Sequence, residues 1–145
     1  MKNIFLIILI SASLFSSSIF TVENTNNLKI YFANKSDFLS KEQKKYIKTK
    51  TEEKLKSAGI ELNKVDASTF MIKIESLEVE ESHAVLVTIA LGEEVVTNRK
   101  DKIGTFAWTY YETDLFEIDE PYKDILEAVD YLVNEFVEAY LDDME

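Results

Sequence analysis

The sequence predicts an α+β domain: a two-layer sandwich in which a four-stranded mixed sheet, in the order β-α-β-β-β-α, carries two helices on one face. Three observations predict it. Residues 70–111 hold three apolar, β-branched and aromatic runs joined by two short charged connections, the pattern of an antiparallel meander. A long stripe of apolar residues at spacings of three and four follows Pro121. Ahead of the meander, one alternating run and one helix with clear start and stop signals complete the order.

The chain of 145 residues opens on Lys2, an apolar run from Ile4 to Ile10, and small residues at Ser16, Ser17 and Ser18. That is the layout of a secretory signal peptide, expected to be cut after Ser18. The alternative, an uncleaved anchor, is disfavoured because residues 4–20 include five serines and only reach the lower limit of roughly 17–25 apolar residues that a spanning helix needs. No stable membrane insertion is therefore expected after cleavage, and the protein is expected to be periplasmic or secreted. There is no cysteine, which rules out a lipid-modified N-terminal cysteine, a disulfide framework and thiolate chemistry together.

Removing residues 1–18 takes away only Lys2, leaving 15 basic against 27 acidic side chains, a net charge of −12. One domain is expected over residues 28–145, since a single proline and three glycines provide no linker. The polar residues 19–27 are expected to be disordered. Such acidity argues against nucleic acid as a partner, because phosphate contacts need clustered Lys and Arg. It favours solubility and a basic protein partner.

Leu28, Ile30 and Phe32 alternate with Lys29, Tyr31 and Ala33, the period of two of a half-buried strand. Ser40 followed by Gln43 is a capping box that starts a helix at Lys41, and Gly59 ends it. This helix is basic, with seven lysines against three glutamates over residues 41–56, and its apolar stripe is thin. Ile60 to Ser68 returns the chain to the sheet. In the first meander run Phe70, Ile72 and Ile74 share a face, but Leu77 and Val79 fall on the opposite parity, which means either that both faces are covered there or, the favoured reading, that a bulge near Ser76 re-aims the apolar set. His83, Val85, Val87, Ile89 and Leu91 carry the second run, Gly92 is a candidate bend, and residues 98–102 form a polar turn. In the third run Phe106, Trp108 and Tyr110 are expected to form one bulky face beneath the helices.

The last helix begins at Pro121, a residue favoured in the first turn, with Asp119 and Glu120 complementing the helix dipole. Its stripe runs through Ile125, Val129, Leu132, Phe136 and Tyr140. From Glu112 to Glu145, thirteen carboxylates stand against Lys123 alone. The lysine-rich and acidic helices are expected side by side, partly neutralising each other.

Nucleophilic catalysis needs an activated hydroxyl or amine beside a base, yet the only histidine is His83, without a nucleophile-elbow context. It reads as a solvated strand-start residue. A zinc site needs more His or Cys than the chain has, and the cluster Asp114, Glu117, Asp119, Glu120 lacks the turn glycine of a calcium loop. No catalytic residue, metal or cofactor is assigned. Trp108, Tyr110, Leu115, Phe116, Glu135, Glu138 and Asp142 are the candidate binding residues, with Leu115 and Phe116 expected in an acidic loop after the third meander strand.

The order strand, helix, three-strand meander, helix resembles the small domains that recur in bacterial envelope proteins and lipoproteins, the N-terminal domain of TolB among them. It is a likeness of layout and implies no site residues. The expected function is non-enzymatic: a periplasmic accessory or inhibitor of an envelope assembly, acting by protein–protein contact through the acidic C-terminal surface. The alternative is a small-molecule or glycan binding module, with a groove between the aromatic strand and the C-terminal helix.

Overall fold

The structure is a computed structural model and describes residues 21–144 except 24, 80 and 81. The expected signal peptide and its cleavage site lie outside the described residues. The fold is α+β, with one mixed sheet and two helices: β1 (Asn27–Lys35), α1 (Lys41–Ser57), β2 (Glu61–Leu62), β3 (Ser68–Val79), β4 (Ser82–Val96), β5 (Gly104–Glu117) and α2 (Pro121–Asp142).

The sheet has five strands, not four, in the order β2-β1-β3-β4-β5. The additional strand β2 is two residues long and runs parallel to β1, with Asn27 opposite Glu61 and Leu28 opposite Leu62. Two residues are too few to show a period, so alternation could not reveal it. Asn63 and Asp66 then turn the chain at φ 60°, a left-handed conformation that Asn and Asp tolerate better than most residues. β3 pairs parallel with β1 over Leu28–Lys35, which places β1 inside the sheet where β2 flanks it and at an edge beyond.

β3 and β4 pair without interruption from Thr69↔Gly92 to Val79↔Ser82, so the bulge expected near Ser76 is absent. Leu77 simply takes the second face of the sheet, where it is 42% exposed. The irregularity lies one strand further on. Leu91 pairs with Tyr110 but Gly92 pairs with Trp108, so Thr109 is an extra residue that reverses the parity of everything before it in β5. β5 also continues to Glu117, so Leu115 and Phe116 belong to a strand and not to the expected loop. Their partners are Leu86 and Val85.

One core joins the sheet to both helices. From the sheet come Leu28, Ile30, Phe70, Ile72, Ile74, Val85, Val87, Ile89, Leu91 and Tyr110; α1 adds Ile47 and Leu55, and α2 adds Ile125, Val129, Leu132, Val133, Phe136 and Tyr140. The capping box of α1 is present: Gln43 N–H donates to Ser40 Oγ at 3.2 Å, and Ser40 N–H donates to Gln43 Oε1 at 2.8 Å. Its C-terminus closes as a Schellman motif, with Ile60 N–H on the Leu55 carbonyl and Gly59, at φ 90°, on that of Lys56. α2 has no side-chain cap from Glu120; instead Asp124 Oδ2 accepts from the N–H groups of Asp119 and Glu120 at 2.9 and 2.8 Å.

Within residues 19–27, expected to be disordered, the described part is tied down. Val22 is buried in the core at the C-terminal end of α2, where its N–H donates to Asp143 Oδ2 at 3.3 Å. Thr21 N–H donates to the Thr109 carbonyl at 2.9 Å, using an acceptor on the free edge of β5.

Candidate functional site

The parity reversal at Thr109 divides the expected aromatic face in two. Tyr110 stays under α2, 6% exposed, with its ring edge-on to Phe136 at 5.1 Å; Phe136 in turn meets Phe70 at 4.8 Å. These contacts leave no groove between Tyr110 and α2. Burial pushes the Tyr110 phenol well above the usual tyrosine range, and the neighbouring charges of Glu112 and Glu135 push the same way. Trp108 and Phe106 lie on the helix-free face, edge-to-face at 5.3 Å over the backbone of Gly92. Leu115, 61% exposed, is on that same open face.

Phe116 follows Tyr110 on the helix side and is half-buried beside a shallow, open trough between β5 and α2. Asp114, Glu117, Asp119, Asp124 and Glu127 line this trough with Phe116, Ala128 and Tyr131, and no basic side chain does. Spacing explains the helix's share. Asp124, Glu127, Tyr131, Glu135, Glu138 and Asp142 recur at three and four along α2, so they fall on one flank and continue the acidic surface toward its C-terminal end. Glu135, Glu138 and Asp142 are exposed there. The sequence-predicted residues therefore fall into two groups, Phe116 with the three α2 carboxylates on the acidic flank and Trp108 with Leu115 on the open face. Tyr110 is buried between the layers.

Asp114, Glu117 and Asp119 were legible as an acidic cluster, but their partners Asp124 and Glu127 on α2 were not. That juxtaposition depends on β5 continuing as a strand to Glu117, which brings its end alongside the first turns of the helix.

The expected neutralisation between helices reduces to one contact. Lys54 Nζ donates to Asp130 Oδ1 at 2.6 Å and to Asn134 Oδ1 at 2.7 Å. Asp130 and Asn134 point to α1, whereas the other α2 carboxylates point away from it toward β5 or solvent. Lysine charge therefore offsets little of the acidic flank. At the opposite end of the sheet, Glu93 accepts from Ser68 Oγ at 2.8 Å and Thr109 Oγ1 at 2.7 Å, a structural use of a carboxylate that ties β3 to the bulge.

His83 is exposed at the start of β4, and its ring meets Phe38 edge-on at 6.1 Å. Among the described residues no three His, Asp or Glu side chains are placed to share a metal ion. Among the described residues no helix is long and apolar enough to cross a membrane. No protein-family model matches the chain, and no curated protein matches it either.

Proposed function

We propose that this is a non-enzymatic, exported protein that acts by contact, as an accessory or inhibitor of an envelope assembly in the periplasm, and that its acidic α2–β5 flank receives a basic segment of a partner protein. The carrying observation is the trough itself: five carboxylates line it, with Tyr131 and Phe116 as apolar contacts and no lysine or arginine among them. Such a surface speeds encounter with a cationic segment and excludes acidic ones, while the two rings add desolvated contact area. The small-molecule alternative has less support, because the rings between β5 and α2 are in contact and Phe106 and Trp108 lie on the other side of the sheet.

Capture of partners from an envelope fraction, at low and high salt, tests this reading. Binding is expected to weaken with salt and to fall severalfold when Glu135, Glu138 and Asp142 are replaced together by Gln, Gln and Asn. Binding unaffected by both changes overturns it.

A further inference from the structure

We propose that two copies of this chain pack open sheet face to open sheet face, making a helix-sheet-sheet-helix dimer with an acidic flank on each outer side. The inference goes beyond the contact reading above and uses the opposite layer of the molecule, so either can fail alone.

Both helices cover the same face of the sheet, and nothing described covers the other. Tyr31, Leu77, Phe106, Trp108, Tyr111 and Leu115 stand on it with 59%, 42%, 52%, 41%, 39% and 61% of their surface exposed. Six such side chains leave on the order of 500 Å² of apolar surface, in an aromatic group around Trp108 and Tyr31 and a smaller one at Leu77 and Leu115. Between them lie Thr88, Ala90 and Gly92 of β4, small residues, and the ion-paired Lys73 and Glu75 of β3. Met71 and Ala90 are buried there yet do not belong to the core that the helices share. About 500 Å² per partner is short of the roughly 800 Å² of a standard interface and fits a weak, reversible association.

Charge selects a second copy as the occupant. Lys29 rises from β1 at one margin and Glu94, opposite Phe106, stands toward the other, while Lys35 is ion-paired with Glu75 of β3 at 3.4 Å. A two-fold axis parallel to the strands, running between β3 and β4, lays β1 of each copy over β5 of the other. The register then sets the levels. Lys29 shares its row with Thr69, Gly92 and Trp108, so it comes over the partner's indole and beside the carboxylate of Glu94. Tyr31 shares its row with Met71, Ala90 and Tyr111, so two tyrosine pairs meet across the axis. Lys35, paired with Glu75, lays its alkyl stem over the partner's Leu115. Aligned packing of two twisted sheets about 10 Å apart accommodates this arrangement.

The test is sedimentation equilibrium of the protein expressed from its full coding sequence, over a wide concentration range. The expected result is a reversible dimer. Trp108→Glu and, separately, Leu115→Glu are each expected to weaken it at least tenfold, while Glu138→Gln on the helix side leaves it unchanged. Lys29→Glu is expected to weaken association, and Lys29→Glu combined with Glu94→Lys to restore it. Circular dichroism confirms folding of each variant, and Leu115 is exposed enough that its replacement does not depend on the core. A chain that stays monomeric at every concentration overturns the proposal, as does a dimer indifferent to both open-face variants. Binding of phosphatidylethanolamine–phosphatidylglycerol vesicles that Trp108→Glu abolishes, in place of self-association, overturns it in favour of a lipid surface.

Discussion

The two faces of the sheet come from the same strands and differ in what fills them. On the helix side, each of β3 and β4 contributes an unbroken row of large aliphatic or aromatic residues, Phe70, Ile72, Ile74 and Val85, Val87, Ile89, Leu91, all fully buried. On the other side the same strands contribute Met71, Lys73, Glu75 and Leu86, Thr88, Ala90, Gly92. The large residues of that side come mainly from the edges, Tyr31 on β1 and Trp108, Tyr111 and Leu115 on β5. One face is organised for stability and the other is left with a shallow centre and an aromatic rim. Stability and surface chemistry are thus separated by direction across a single layer.

The comparison is broken most directly at Phe136, where the helix side is fullest. Phe136→Ala removes the ring that contacts both Phe70 and Tyr110 and is expected to cost about 3–5 kcal/mol, read from urea denaturation. On the open face the most sensitive position is Gly92. A methyl group there would overlap Phe106 Cζ and lie 2.7 Å from Trp108 Cζ3, so Gly92→Ala must push both rings aside. The expected cost is about 1–3 kcal/mol, with a change in tryptophan emission that Phe136→Ala does not reproduce at matched stability.

Tyr110 sharpens the contrast through pH. Its phenol titrates above the ordinary value of about 10 in the folded state, so the native protein holds that proton more tightly than the unfolded chain. The stability it contributes is complete below the unfolded pKa and is lost as pH rises through the folded one. Alkaline unfolding should therefore steepen above about pH 10 in the native sequence and less so in Tyr110→Phe, followed by circular dichroism. The smallest effect belongs to Leu115. With most of its surface in solvent, Leu115→Ser is expected to change stability by no more than about 0.5 kcal/mol in the monomer, so a larger loss would show that the open face supports the fold.

Much of the fold was legible because its signals are local. The α2 stripe, the capping box at Ser40 and Gln43, and the stop at Gly59 each depend on residues within a turn or two of one another. Two features depended on pairing instead. Leu77 looked out of phase because a strand with one covered face should alternate cleanly, but an open face that accepts hydrophobic residues removes that requirement. The parity change at Thr109 had no signal inside β5. Its only trace was Gly92 in the partner strand, the one position without a side chain for Phe106 and Trp108 to displace. The candidate site was legible as composition and illegible as geometry: the acidic α2 flank followed from helical spacing, while Trp108 and Tyr110 were expected on one face and the fold puts them on opposite faces of the sheet.

The outer margin of β5 has one more consequence. Among the described residues β5 ends the sheet with fourteen residues of strand, and an outer edge of that length is a template for another chain to join side by side. Glu112, Asp114 and Glu117 place like charges along its second half, and Thr21 occupies the carbonyl at Thr109. A second β5 laid along the first would bring carboxylates together row by row. The same acidity thus protects the protein from growing into fibres through its own edge.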